Sequence, residues 1–253
     1  GDDHSYESFG GFVAGKNNSL QGEYSSILGG KENVVSGNYS TISGGYQNLS
    51  SGNHAAVLGG HQNEASNSFT TVLGGGNNLA SGSKASVLGG TDNIALGNAS
   101  SILGGDGNQT TGLNSTISGG VFGETVDNYS NIAGGYTNTT MGSYSSILGG
   151  SENITYGDSS VILGGYLNQA MGLRSSISAG YSNTVNSNYG SVSGGYLNIV
   201  DGLIGSVSGG AENSALGEYS AVTGGFNNTS IGNYSSLLGG NGVNLSGLHN
   251  TNP

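Results

Sequence analysis

The chain has 253 residues, among them 52 glycines, one proline, no cysteine and no tryptophan. Glycine does not fall at every third position, which excludes collagen, and Ile, Val and Leu recur at fixed phase, which argues against simple disorder. Only 8% of residues are charged, and a net charge of −11 argues against binding to nucleic acid or to anionic lipid.

Residues 1–13 read as an irregular N-terminal cap, and their Gly-Asp-Asp-His start does not read as a signal peptide. From residue 14 to residue 240 a glycine pair returns every fifteen residues, from Gly29-Gly30 and Gly44-Gly45 through to Gly239-Gly240. Ala14-Gly15 and Ala179-Gly180 soften the pair but keep its phase. So short and fixed a period is the mark of a stacked-coil architecture. Residues 241–253 read as an irregular C-terminal segment. Open coil ends expose strand edges, so both irregular segments are expected to cap them. No run is long enough for a transmembrane helix, so no membrane insertion by this segment is expected.

We number the places of a coil from the residue after each glycine pair. In 31–45 (KENVVSGNYSTISGG), Asn33 is at place three, Gly37 at seven, Ser40 at ten and Ile42 at twelve. Place twelve is Ile or Val in nearly every coil, and β-branching favours strand over helix. The reading is all-β: a parallel β-solenoid with one strand around places nine to thirteen and a second around four to six. The glycine pair with the place-three Asn makes one turn and the place-seven Gly the other, as residues that tolerate positive φ. Side chains alternate along a strand, so places ten and twelve face inward and places eleven and thirteen outward.

The outward file carries Leu28, Leu58, Leu73, Leu88, Leu103, Leu148, Leu163 and Leu238 at place thirteen. A wholly solvated face does not gather leucine in one file, so it reads as a contact surface with another chain. A slower rhythm overlies the coils. Place seven departs from glycine at Glu7, Asn67, Asp127 and Ser187, and an acidic residue stands at place two at Glu32, Asp92, Glu152 and Glu212, both at sixty-residue intervals. Either a four-coil unit was duplicated, or a partner reads every fourth coil.

The pattern Ser-x-Ile/Val-x-Gly-Gly-x-x-Asn-x-Ala-x-Gly-x-x, as in Ser100-Ser-Ile-Leu-Gly104 with Ala95-Leu-Gly97, resembles the YadA-like head repeats of trimeric autotransporter adhesins. The resemblance covers about residues 15 to 240. It implies a left-handed β-roll, a homotrimer, and a place on the bacterial outer surface or outside the cell. The chain departs from that family at place twelve, which there is often alanine, and at place eleven, which there is often valine.

Tyrosine concentrates at places nine and one. Tyr166, Tyr181 and Tyr196 occupy place one of consecutive coils, with Tyr46 and Tyr136 at the same place elsewhere. Such a ladder is a candidate for binding a host matrix protein or glycan. His4, His54, His61 and His249 are scattered with no cysteine or carboxylate cluster, so no metal and no cofactor are expected. Asn-x-Ser/Thr triplets, as at Asn48, Asn98 and Asn153, are frequent enough to arise by chance. No nucleophile–base–acid constellation stands out, so no enzymatic activity is expected. The sequence reads best as an adhesin head or fibre presenting a repetitive surface. A self-assembling end-to-end filament and an ice-binding protein using the place-eleven hydroxyls (Ser26, Thr41, Thr71, Ser86, Ser101, Thr116) are the alternatives.

Overall fold

A computed structural model describes residues 1–247 and the backbone of Thr251–Asn252. The chain divides into two compact units, Gly1–Asn128 and Tyr129–Pro253. Both are all-β. Each is a parallel β-solenoid in which one fifteen-residue coil lies on the next, residue on like residue, as in Thr41 pairing with Ser26 and Ala56 in the first unit, or Ile154 with Thr139 and Gln169 in the second.

The strands are two residues long. In coil 31–45 they are Val34–Val35, at places four and five, and Thr41–Ile42, at eleven and twelve. A third line of parallel bridges joins successive place-one residues, running Lys16, Lys31, Tyr46 and His61 in the first unit and Tyr166, Tyr181 and Tyr196 in the second. Each coil therefore has three pairing sites, where the sequence suggested two strands.

Inward-facing places follow the expected alternation. Ser40 and Ile42, at ten and twelve, are fully buried, and Val35 meets them from the other strand. Burying one such β-branched side chain contributes on the order of 1.5–3 kcal/mol.

Place three departs from expectation. Its asparagines do not form a turn at positive φ; they are core residues. Asn33, Asn93, Asn153 and Asn198 are all fully buried. Asn153 Oδ1 accepts the Asn168 backbone N–H at 3.0 Å. Its Nδ2 donates to Gly149 O at 3.2 Å and Gly165 O at 3.0 Å. The arrangement recurs coil after coil, so the amides form a satisfied polar ladder inside the roll. Gly123 holds place three in the coil that begins at Val121, and there only its backbone N–H takes part, donating to Asn108 Oδ1.

The turn chemistry differs from expectation as well. Positive φ falls at places two, nine and fifteen, as in Glu32 (57°), Tyr39 (58°) and Gly45 (94°). The reason lies in hydrogen-bond direction. Strand amides donate to the following coil, as Val34 N–H does to Asn48 O, whereas Glu32 and Tyr39 donate back to Lys16 O and Glu23 O of the preceding one. A left-handed residue turns its N–H around, and the gain in pairing holds even Tyr and Ile204 in that strained region. Place-seven glycine is needed for another reason. A Cβ on Gly37 would lie 2.1 Å from Gly52 O of the next coil.

The first coil is one residue short. Ser5 pairs with Ser19 and Phe12 with Ser26, fourteen residues apart, because Ala14 alone fills places thirteen and fourteen: its N–H donates to Ile27 O as Leu28 does to Ile42 O, and its C=O accepts from Asn18 Nδ2 as Gly29 does from Asn33. Glu7, like Gln21, therefore stands at place six, since their amides reach Leu20 O and Val35 O respectively. It does not belong to the place-seven series of Asn67, Asp127 and Ser187. Pairing reaches into both end segments: Ser5–Tyr6 and Phe12–Val13 lie in 1–13, and Asn244–Leu245 pairs with Thr229–Ser230. His249 lies outside the described residues.

Candidate interaction surfaces

Each coil turns three corners, and the side chains at places one, nine and thirteen stand outward from them. At place one the structure brings Tyr166, Tyr181 and Tyr196 into one file. Ring centroids are 5.3 Å apart for the first pair, tilted by 51°, and 5.2 Å for the second, tilted by 26°. A hydrogen bond to the Glu152 carboxylate, and then its charge, hold the Tyr166 phenol above its ordinary pKa. Tyr136 shares the place but is separated from Tyr166 by Ser151. Tyr46 lies in the first unit with Lys31 Nζ 5.5 Å above its ring. That lysine also pairs with Glu32 at 2.9 Å, which lowers the Glu32 pKa and raises that of Lys31.

A longer aromatic file stands at place nine. Tyr24, Tyr39, His54 and Phe69 stack within 9° of parallel at centroid spacings of 5.4, 5.0 and 4.9 Å. Phe9 closes its end edge-on, at 90° to Tyr24. Tyr129–Tyr144 and Tyr219–Tyr234 repeat the stack in the second unit. Sequence reasoning noted the place-nine tyrosines but chose place one. The signal for the longer stack was aromatic or imidazole character at place nine in four consecutive coils. Stacking turns ring faces toward one another, so along such a file the surface receives mostly ring edges and hydroxyls.

His54 and His61 occupy different corners, places nine and one, and the described residues contain no group of three or more His, Cys, Asp or Glu able to hold a metal ion. No pocket opens among the described residues.

The place-thirteen leucines are exposed: Leu28 at 55%, Leu103 at 46% and Leu148 at 50%. The first unit carries Leu28, Leu58, Leu73, Leu88 and Leu103, interrupted once by Ser43; the second carries Leu148, Leu163 and, four serine or threonine coils later, Leu238. Beside them the place-eleven hydroxyls are half-buried, and some bond along the file: Ser26 to Thr41 at 3.3 Å, Ser86 to Ser101 at 3.1 Å.

Place fourteen adds an unexpected feature. Gly44, Gly89 and Gly149 lack the positive φ of place fifteen, and a Cβ on any of them would meet no atom within 4 Å. The fold of a single chain makes no demand for glycine there, yet glycine returns beside the leucine file in coil after coil.

No protein-family model matches the chain, and no curated protein matches it.

Proposed function

We propose that the chain is the head or fibre segment of an extracellular adhesin, assembled as a homotrimer through the face of places eleven, thirteen and fourteen. The observation that carries this reading is the pairing of an exposed leucine file with glycines that open onto empty space. A chain folded for itself gains nothing from either; a second copy pressed against that face buries the leucines and approaches the backbone closely at the glycines. The resemblance to YadA-like head repeats supports the same face-to-face assembly and the extracellular setting.

Surface chemistry supports attachment. The outside is hydroxyl-rich and acidic, which favours solubility and disfavours anionic membranes. Identical corners repeated along the coils offer many copies of one weak contact, and multivalency multiplies such contacts. The place-one tyrosines Tyr166, Tyr181 and Tyr196 are the proposed contact residues for a host matrix protein or glycan.

One experiment addresses assembly and attachment together. Light scattering of the chain gives its mass in solution, and the same chain displayed on an inert cell is scored for attachment to matrix proteins, glycans and cells. A trimer is expected, and L88D with L103D should break it. Replacing Tyr166, Tyr181 and Tyr196 by serine should lower attachment and leave the mass unchanged. A well-folded monomer sinks the assembly; attachment indifferent to the triple replacement sinks the assignment of the tyrosines.

A further inference from the structure

The sequence holds thirteen Asn-x-Ser/Thr triplets, and once placed in the coil they divide into a buried kind and a surface kind. At Asn48, Asn108, Asn138, Asn153 and Asn228 the asparagine is the place-three ladder residue, at most 1% exposed. The Ser or Thr two positions on is the buried place-five residue: Ser50, Thr110, Thr140, Thr155 or Ser230. Both amide hydrogens of such an asparagine are engaged. Asn48 Nδ2 donates to Gly44 O and Gly60 O, each at 3.0 Å. Asn108 Nδ2 reaches Gly104 O at 3.1 Å and Gly120 O at 3.0 Å. Asn138 and Asn228 make the same pair of bonds.

At Asn38, Asn98, Asn128 and Asn233 the triplet starts instead at place eight, and at Asn17, Asn227, Asn114 and Asn244 it starts at places two, two, nine and four; Asn38 is half-buried and the other seven are exposed. At place eight Oδ1 accepts a backbone N–H of the preceding coil: Glu23 to Asn38, Ser83 to Asn98, Leu113 to Asn128 and Glu218 to Asn233.

An N-linked sugar replaces one Nδ2 hydrogen with a bulky polar group. At place eight this leaves the coil intact, because the bond that matters there is made by Oδ1. At place three it removes one of two core hydrogen bonds and puts a sugar where neighbouring coils are in contact. An asparagine modified before folding could not enter the ladder, because a buried carbonyl would lose its donor in addition to the steric clash.

We infer that this chain is synthesised and folded without meeting an enzyme that glycosylates nascent Asn-x-Ser/Thr triplets, and that only its surface triplets, none of them in the asparagine ladder, are compatible with an N-linked sugar. The inference is independent of adhesion: it rests on the ladder alone and holds for a filament or any other use of the fold.

The test is translation of the full chain, fused to a secretory leader, in the presence of microsomes that glycosylate nascent chains. Modified asparagines are identified by mass spectrometry and folding by protease resistance. Chains bearing sugar at any of the five place-three asparagines are expected to be protease-sensitive. A competing acceptor tripeptide that suppresses glycosylation should restore resistance. The variant S50A/T110V/T140V/T155V/S230A keeps every ladder asparagine and removes the five triplets. It should fold in the microsomes while still carrying sugar at its surface triplets, and it should match the unaltered chain when both are made without microsomes. Two of the five hydroxyls it removes, Ser50 Oγ and Thr140 Oγ1, are buried without a partner. The inference is overturned by a protease-resistant chain with sugar on Asn48, Asn108, Asn138, Asn153 or Asn228. It is equally overturned by an unaltered chain that folds in the microsomes with all five left bare, or by a variant that folds without microsomes but fails when glycosylated at its surface triplets.

Discussion

Asn153 joins three coils with one side chain, accepting from Asn168 N–H and donating to Gly149 O and Gly165 O. Replacing it with alanine strands the Asn168 amide inside the roll, while Gly165 O keeps the Ser151 N–H. The expected cost is about 2–4 kcal/mol, from one orphaned buried donor and the lost bonds. Denaturant unfolding of Asn153→Ala against the unaltered chain checks this, and a change below about 0.5 kcal/mol, the size of an ordinary surface substitution, would refute it. The role of this residue was only half legible in the sequence. Its return at place three in nearly every coil was plain, but asparagine beside a glycine pair is also the signature of a turn. Local composition cannot separate a turn amide from a core amide; what distinguishes them is the stacking of identical coils, which gives every amide a like neighbour above and below.

At the scale of the coil, the strands were legible because β-branching at place twelve and alternation at ten and twelve are local signals. The corners were not. Glycine marks three places for three different reasons. At fifteen it supplies positive φ, at seven it makes room for the next coil's carbonyl, and at fourteen the single chain shows no need for it. Conversely, places two and nine adopt positive φ with Glu, Gln, Tyr and Ile, residues whose identity gives no warning. The three glycine roles predict different costs within one coil. Gly37→Ala should destabilise by about 1–3 kcal/mol through overpacking against Gly52 O. Gly44→Ala should be neutral or stabilise by about 0.4–1 kcal/mol in a monomeric chain, by restricting the unfolded state. Thermal unfolding at concentrations too low for association compares the two; equal losses would contradict the distinction. The short first coil was likewise hidden, since Ala14-Gly15 keeps the phase of the glycine pair while Ala14 alone fills places thirteen and fourteen. Only strand register, with Ser5 opposite Ser19, reveals it.

Across the whole chain, the sequence led to the solenoid because its period never drifts from residue 15 to residue 240. The surfaces were less legible. The leucine file was evident from position alone and is exposed as expected, but the place-nine stack competed with place one for the same aromatic signal, and sequence gives no ring orientation. Near-equal coils also make a quantitative prediction. Deleting residues 76–90 joins Gly75 to Thr91 and brings Asn63 opposite Asn93, the same ladder contact that Asn63 now makes with Asn78. The shortened chain should keep its strand-rich circular dichroism spectrum and a cooperative melt, since stacked repeats contribute roughly equal increments to stability. Loss of cooperative unfolding would show that a particular coil, not the stack, holds the first unit together.

A ladder in which nearly every rung meets an equivalent rung fifteen residues on has a consequence for inheritance. Unequal exchange between copies of the coding repeat adds or removes coils in whole numbers, and each product still places asparagine on asparagine and valine on isoleucine. Most proteins treat length as fixed, because an inserted segment must find somewhere to go. Here reach is adjustable in steps of one coil, and a lineage can lengthen or shorten it without inventing a new contact. The same interchangeability carries a hazard during folding, because a coil that skips its neighbour and pairs with the next one along finds an almost equally good partner. What separates the correct pairing from the skipped one is the small irregular minority: the aromatic run from Tyr24 to Phe69, Gly123 in the asparagine file, and the non-glycine residues Asn67, Asp127 and Ser187 at place seven. Departures from the repeat thus act as its page numbers.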